Sequence, residues 1–340
     1  MKVTQRNIVP EIADIGNHIF KVVLPQPFYA PNNIYILPGK ELTIIDSGYI
    51  ESLPILQASL KKIGYSLKDI RKVIYTHNHI DHISASLVLK SYSPKAIFYG
   101  LKGMQEGIGN YIESVDLFRI ASNDLFVRAF EKIEERNSII ESTEKYWNEF
   151  FSRFKETKKG NPILKIDVGL EQGDSVFVEE REIKILYTPG HNIYHITPYL
   201  RKEGIYFSGD LIISNLTAIY SEFDGDLRDY RITLDKLLEE PIVRMLPAHG
   251  DEIADPKRSI HLVKKTLDIL ERGILRRLTE SSPSDLLNLM EAAIGKKVYS
   301  GGHLPTALAL VYSLVKSLER KKKLTIEKRE DGYEKFYIVN

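Results

Sequence analysis

The chain has 340 residues, with 47 Lys and Arg against 46 Asp and Glu, and it contains no cysteine. Its 43% hydrophobic and 27% charged residues are typical of a globular protein with a sizeable core, which excludes global disorder, collagen and disulfide-stapled scaffolds. Without cysteine, any metal must bind to histidine and carboxylate side chains. The net charge of +1 argues against a protein built mainly to bind nucleic acid.

The first third of the chain alternates between strand and helix patterns, which favours a layered α/β fold. Short stretches rich in β-branched and aromatic residues predict strands, and apolar residues at helical spacing predict helices. Strands are predicted at 17–24, 33–37, 41–46, 72–75 and 96–99, and helices at 52–63 and 83–91.

The segment from about 103 to 161 is strongly charged and helical by pattern, and it carries no strand signal. We predict a helical insertion here. Its aromatic stripe at 146–154 is typical of a helix packed on its own domain, with a lid, a substrate wall or a dimer surface as alternatives.

Strand and helix patterns then return up to about residue 280. Strands are predicted at 163–168, 175–178, 183–187, 195–200, 204–208 and 243–246, and helices at 227–239 and 256–279. The remainder reads as helices at 283–294 and 305–321, followed by strands at 324–329 and 334–339 around the turn signal Asp331-Gly332. We therefore predict a catalytic domain over 1–280 and a small winged-helix-like domain over 281–340.

Three of the nine histidines fall within six residues, in the run His77-Asn78-His79-Ile80-Asp81-His82. The run follows a predicted buried strand, where a tight loop can aim several side chains at one point. Histidine suits zinc and iron, and an added carboxylate adjusts charge and geometry. The cluster therefore predicts a metal site.

Three further strands end in small-residue turns that carry one histidine or aspartate each. The turns hold His191, Asp210 and His249, and their glycines allow the backbone to turn sharply. Each turn alone is a weak signal, but together they predict one shared site.

The order and the residues of these motifs resemble those of the metallo-β-lactamase superfamily. The motifs are IIDSG at 44–48, THNHIDH at 76–82, TPGH at 188–191, SGD at 208–210 and PAHG at 247–250. The glyoxalase II-like branch is the nearer resemblance, and the tail resembles a lactamase-β-like subgroup that includes endoribonucleases. The resemblance implies an αββα sandwich with a dinuclear metal centre at the sheet edges.

The resemblance also implies seven metal ligands in two groups that share one carboxylate. They are His77, His79 and His191 for one ion, Asp81, His82 and His249 for the other, and Asp210 as the bridge. Asp46 would orient a ligand from outside the metal shell. His195 is expected to be structural or to support a ligand. The chain departs from the family pattern at Asn192, where threonine or serine is common, and in the long insertion.

Two divalent ions would share a water molecule and lower its pKa towards ~7, giving a hydroxide nucleophile. We expect zinc, with iron and manganese as alternatives. Asp81 and Asp210 are the predicted catalytic residues, and Asp81 would accept a proton as the tetrahedral intermediate collapses. The main prediction is therefore a hydrolase that cleaves an ester, thioester or lactone; the sequence identifies no general acid.

Three alternatives remain open at this point. The same dinuclear centre would serve an endoribonuclease or phosphodiesterase, with RNA bound through the tail. A persulfide dioxygenase would hold a single iron with His77, His191 and Asp210. A non-enzymatic binding protein is the third alternative. We expect a small-molecule substrate, no membrane association and a cytoplasmic location, because neither a signal peptide nor a long apolar stretch is present. A homodimer remains open.

Overall fold

The computed structural model describes residues 11–26, 30–108, 111–153, 165–213, 216–217, 224–295 and 303–339. These residues form sixteen strands and ten α-helices. The strands of the first half are β1 (Ile12–Asp14), β2 (Phe20–Leu24), β3 (Asn32–Leu37), β4 (Leu42–Ile45), β5 (Ile70–Ile74), β6 (Ile97–Leu101) and β7 (Val168–Leu170). The later strands are β8 (Ser175–Val178), β9 (Arg181–Tyr187), β10 (Ile196–Leu200), β11 (Ile205–Gly209), β12 (Ile212–Ile213), β13 (Leu216–Thr217), β14 (Arg244–Pro247), β15 (Leu324–Lys328) and β16 (Glu334–Ile338).

The helices vary from single turns to seven turns. They are α1 (Leu53–Lys61), α2 (Ile80–Ile83), α3 (Ser86–Tyr92), α4 (Met104–Gly107), α5 (Tyr111–Ala129), α6 (Ile133–Arg153), α7 (Leu227–Glu239), α8 (Pro256–Glu280), α9 (Leu286–Ile294) and α10 (His303–Arg320). None of the described helices is both long enough and apolar enough to cross a bilayer.

The two large sheets pack face to face and are flanked by helices, which gives the predicted αββα sandwich. One sheet has the order β1-β2-β3-β4-β5-β6-β7, and the other has the order β14-β11-β10-β9-β8. Alternating side chains explain the layering, because successive residues of a strand face opposite sides. In β3, Tyr35 and Leu37 enter the cluster between the sheets, whereas Ile34 and Ile36 face the helices α1 and α3.

The outer face of the second sheet packs on the long helices α7 and α8. The same apolar cluster continues into α9, α10 and the β15–β16 hairpin, through residues such as Leu289, Leu308 and Phe336. The described residues after 280 therefore share a core with the catalytic region. Their assignment as a separate winged-helix-like domain stays a prediction.

The described part of the predicted insertion consists of α4, α5 and α6. The end of the predicted segment, 154–161, lies outside the described residues, as do the side chains of Tyr146, Phe150, Phe151 and Phe154 in the aromatic stripe. The α5–α6 pair packs against α10 and reaches α2, which carries two of the predicted ligands.

Some predicted elements differ from the structure. Of the strand predicted at 163–168, residues 163 and 164 lie outside the described residues, and within the rest β7 begins at Val168, directly after Asp167, whose carboxylate accepts the Phe98 backbone N–H (3.1 Å). The helix predicted at 83–91 is two helices, α2 and α3, so Asp81 and His82 lie on a helical turn rather than in a loop.

Candidate metal centre

The predicted ligand residues follow strand ends that meet at one edge of the sandwich. Asp46 and the 76–82 segment follow β4 and β5, which run parallel. Asp210 and His249 follow β11 and β14, which are also parallel, and His191 follows β9. Because the carboxyl ends of parallel strands lie at the same edge, side chains far apart in sequence converge there.

The seven side chains form two groups with closely spaced ligand atoms. Within each group these atoms lie within 4.8 Å of one another. The first group contains His77, His79, His191 and Asp210, and the second contains Asp81, His82 and His249. The structure therefore brings together all seven residues that the sequence nominated.

Asp210 lies between the two groups, and its two carboxylate oxygens face different groups. Its Oδ2 atom is 3.6 Å from His191 Nε2. Its Oδ1 atom is 3.4 Å from His82 Nε2 and 3.4 Å from His249 Nε2. This placement suits a carboxylate shared by two ions, which is the role predicted for Asp210.

Asp46 orients one histidine of each group. His82 Nδ1 donates to Asp46 Oδ2 (2.9 Å), so its Nε2 atom carries the lone pair that faces the cluster. The Thr76 hydroxyl donates to the same Oδ2 atom (2.9 Å) and accepts from His77 Nδ1 (3.1 Å). His77 Nε2 is thereby also left as an acceptor. The backbone of Asp46 has a φ of 60°, a conformation that aspartate tolerates better than most residues.

The other two ligands of the second group are held from the N-terminal sheet. His249 Nδ1 donates to the Pro31 carbonyl (3.0 Å), which again leaves Nε2 facing the cluster. Asn32 donates to Asp81 Oδ2 (3.2 Å) and forms a β-bridge with His249. The start of β3 therefore positions both residues.

His79 is oriented by a carboxylate that the sequence did not indicate. Its Nε2 atom lies 2.6 Å from Asp224 Oδ2, and its Nδ1 atom lies 3.1 Å from His191 Nε2. A proton shared with Asp224 leaves Nδ1 as the nitrogen available to a metal. The buried Asn192, where the family pattern has threonine or serine, donates to Asn78 (2.8 Å) and lies 3.4 Å from Asp224.

His195 supports the site without joining either group. It is fully buried, its Nε2 atom accepts the backbone N–H of Asp210 (3.3 Å), and its Nδ1 atom bonds to Thr188 (2.9 Å). The glycine before Asp210 allows this approach. A Cβ atom on Gly209 would lie 2.5 Å from His195 Nε2, and the residue has a φ of 51°.

Burial and neighbouring charges perturb the titration of these groups in opposite directions. Burial, together with the nearby His79 ring, lowers the pKa of His191 to about 4. Burial also disfavours protonation of His82 and His249, but the Asp81 and Asp210 carboxylates outweigh it and raise their pKa values to about 10 and about 12. Burial would raise the pKa of Asp210, yet the His249 and His82 rings hold it well below its usual range. The carboxylates therefore favour positive charge on His82 and His249, whereas burial disfavours it on His191.

The donor set fits divalent metal ions. His77 Nε2, His82 Nε2 and Asp210 Oδ1 are enclosed and make no hydrogen bond, although an unmet buried polar atom costs about 1–3 kcal/mol. Bound metal ions that accept the lone pairs of these three atoms would explain why the atoms converge here without hydrogen bonds. Nitrogen and oxygen donors without sulfur suit zinc, iron and manganese.

Thr76, Asn32 and Asp224 are the supporting residues that sequence reasoning missed. Thr76 stands directly before the histidine run, so its position was the one available signal. Asp224 lies 145 residues from His79 in sequence, and Asn32 lies 49 residues from Asp81. No local pattern marks either of these two residues.

Comparisons with known proteins agree with this geometry. The metallo-beta-lactamase superfamily model matches residues 28–249. A beta-lactamase-like protein 2 homolog of Drosophila melanogaster is 30% identical over 47% of this chain, and the match spans only about half (52%) of that relative. A probable metallo-hydrolase of Bacillus subtilis, YqjP, is 26% identical over 78% of this chain and 81% of its own length.

A solved structure shows the same fold. A metallo-beta-lactamase family protein from Thermus thermophilus superposes with a TM-score of 0.74 at 18% identity, over 96% of this chain and 100% of that one. The family model covers well over half of the sequence and contains every residue of both ligand groups. The chain belongs to the metallo-β-lactamase superfamily.

Proposed function

We propose that this protein is a hydrolase that uses two divalent metal ions to cleave an ester, thioester or lactone. The observation that carries the proposal is the convergence of two His/Asp groups on the two oxygens of Asp210. The match to a relative described as a probable metallo-hydrolase supports the same reaction class. The glyoxalase II-like character and zinc as the metal belong to this proposal.

Side chains of this protein would bind the ions and accept protons next to them. His77, His79 and His191 would bind one ion, Asp81, His82 and His249 the other, and Asp210 both. Ions held by these residues would supply an activated water molecule with a pKa of about 7 and would polarise a substrate carbonyl.

Asp81 is the proposed proton acceptor. Its Oδ2 atom lies 3.4 Å from His249 Nε2, and its side chain keeps 15% of its surface exposed, more than that of Asp210. Asn32 holds this carboxylate in place through its amide (3.2 Å). Asp81 and Asp210 are therefore the proposed catalytic residues.

The structure gives less support to an RNA substrate bound through the tail. Several cations of the tail are paired within the molecule. Arg329 lies 2.8 Å from Glu131, and Lys321 lies 2.8 Å from the largely buried Glu271. RNA binds to proteins mainly through cations that are free to contact its phosphates. These internal ion pairs therefore count against the nuclease alternative.

The second ligand group weighs against a mononuclear iron dioxygenase. Such a site would use His77, His191 and Asp210 alone. The two histidines of the second group, His82 and His249, are oriented through their Nδ1 atoms by Asp46 and the Pro31 carbonyl, as metal-binding imidazoles are. A binding protein that holds no metal would have no use for these orienting bonds.

The test is a hydrolysis screen with metal-loaded protein. Esters, thioesters, lactones and a single-stranded RNA are each assayed with and without a chelator, and Asp210→Ala serves as the inactive variant. The control is Asp235→Asn, a surface carboxylate of α7 that pairs with Lys264. We expect chelator-sensitive turnover of at least one carbonyl substrate, with activity lost in Asp210→Ala and kept in Asp235→Asn.

Two outcomes would overturn the proposal. Cleavage of RNA with no carbonyl substrate turned over would assign the centre to phosphodiesters. Oxygen consumption with a persulfide, and no hydrolysis, would assign it to the dioxygenase reaction.

A further inference from the structure

Helix α5 of the insertion reaches the metal centre at Phe118. The Phe118 ring meets the His79 ring edge-on, with a centroid distance of 5.4 Å and an interplanar angle of 69°. Both side chains are partly exposed, and that of His79 keeps 16% of its surface. An aromatic side chain therefore forms a wall beside a ligand that solvent still reaches.

A second apolar residue, Ile193, is bonded through its backbone to the residue that orients His79. Ile193 stands two residues after His191 and is 45% exposed. Its backbone N–H donates to the carbonyl of Asp224 (2.7 Å), the residue that orients His79. Single exposed apolar residues are common on protein surfaces, but ligand sites are lined mainly by apolar and aromatic side chains around a few polar groups, which makes Ile193 a candidate beside Phe118.

The C-terminal region holds α5 in place. Arg128, in the last turn of α5, donates to Tyr312 (2.8 Å) and pairs with Glu334, a carboxylate that is only 2% exposed. Gly332 packs so closely that a Cβ atom on it would lie 2.6 Å from the Val127 side chain. The C-terminal region therefore holds the last turn of the helix that carries Phe118, and restrained binding surfaces need less reorganisation when a ligand binds.

The charges near this wall do not suit a polyanion. Arg119, the residue after Phe118, pairs with Asp116 and Glu144 at 2.6 Å each. Arg320 of α10 pairs with Asp226, two residues from Asp224. These arginines are neutralised within the molecule, whereas the carboxylate of Asp224 adds negative charge.

We propose that Phe118 and Ile193 form a hydrocarbon-binding wall, and that the substrate carries an alkyl or aryl group next to its scissile bond. This inference rests on the proposed function and names the substrate class for that site. Contact with the wall would remove the hydrocarbon group from water. Each fully buried methylene would raise the binding affinity by up to about fourfold.

Two ester series test the inference. In one, p-nitrophenyl esters carry acyl chains of two, four and eight carbons; in the other, acetate esters carry alcohols of the same lengths. We expect kcat/KM to rise about tenfold or more along at least one series, since partial burial of several methylenes gives this factor. Phe118→Ala should remove most of the rise, and Phe118→Leu should keep part of it. Phe177→Ala, an exposed aromatic on β8, is the matched control and should behave as wild type.

A binding measurement adds a readout that does not depend on turnover. Octanoate and acetate share a carboxylate and differ only in chain length, so their calorimetric affinities for the metal-loaded protein isolate the hydrocarbon term. We expect octanoate to bind about tenfold more tightly than acetate, with the difference reduced to within about threefold in Phe118→Ala and in Ile193→Ser.

The outcomes separate this inference from the proposed function. Hydrolysis with no dependence on chain length, or with the same dependence in Phe118→Ala, would overturn the wall while leaving the hydrolase intact. Absence of all metal-dependent hydrolysis would overturn the proposed function instead. A chain-length preference in octanoate binding that Phe118→Ala leaves unchanged would place the hydrocarbon elsewhere and refute the assignment.

Discussion

Asp46 contacts both halves of the metal centre, and we expect Asp46→Asn and Thr76→Val to separate its two connections. Asp46 Oδ2 accepts from His82 directly and from Thr76, whose hydroxyl in turn accepts from His77. In Asp46→Asn, an amide NH₂ group replaces one acceptor oxygen, so the bonds from His82 and Thr76 to this side chain are lost or rearranged. In Thr76→Val, a side chain of similar shape removes both bonds of the hydroxyl, so His77 loses its connection to Asp46 while the bond between His82 and Asp46 is kept.

The expected magnitude follows from the bonds lost. A buried hydrogen bond to a charged acceptor contributes about 1.5–3 kcal/mol. Removing a residue that orients a metal ligand typically lowers metal affinity about 10–100-fold, or about 1.4–2.7 kcal/mol, and the two ranges agree. We therefore expect Thr76→Val to weaken one metal equivalent by this factor and Asp46→Asn to weaken both.

Equilibrium competition with chelators of graded affinity measures each equivalent separately. Asp69→Asn is the control, because Asp69 bonds to the backbone and hydroxyl of Ser66 at a distant turn. Melting of the chelated variants distinguishes loss of ligand orientation from loss of folding. Retention of both equivalents at wild-type affinity in a folded Asp46→Asn protein would refute the reasoning, as would equal weakening of both in Thr76→Val.

Three further predictions follow from the same geometry. Asp224→Asn should lower the affinity of the first group about 10–100-fold in the same competition assay, because His79 loses its partner at 2.6 Å; unchanged affinity would contradict the role given to Asp224. Asp210→Ala should abolish hydrolysis while its far-UV circular dichroism stays that of wild type, and measurable turnover would exclude Asp210 from the mechanism. Removal of the ions by a chelator should lower the melting temperature by several degrees, because an ion at one hundred times its Kd stabilises by about 2.7 kcal/mol; an unchanged melting curve would show that the ions do not bind preferentially to the folded chain.

The sandwich and the candidate ligands were predictable because their signals are local. Each candidate ligand follows an apolar strand that ends near a turn, and parallel strands bring such ends together. His77, His191 and His249 could thus be nominated from short motifs alone. The family resemblance added the grouping around Asp210, and the distances on either side of Asp210 agree with that grouping.

The supporting contacts were not predictable, because they join residues that are distant in sequence. Asp224 reaches His79 only after the 190–193 loop and the start of α7 pack together, with Asp226 N–H bonded to the Gly190 carbonyl. Arg128 and Glu334 are 206 residues apart in sequence, and no local pattern in either segment predicts that they pair. Such pairs depend on the tertiary packing of the C-terminal region.

The metal content of the protein tests the central claim most directly. The protein is purified without added metal or chelator, and elemental analysis gives the identity and number of metal ions per chain. We predict two equivalents of divalent metal, chiefly zinc, because two groups of histidine and aspartate ligands share Asp210. A single equivalent of iron, or no bound metal, would contradict the account.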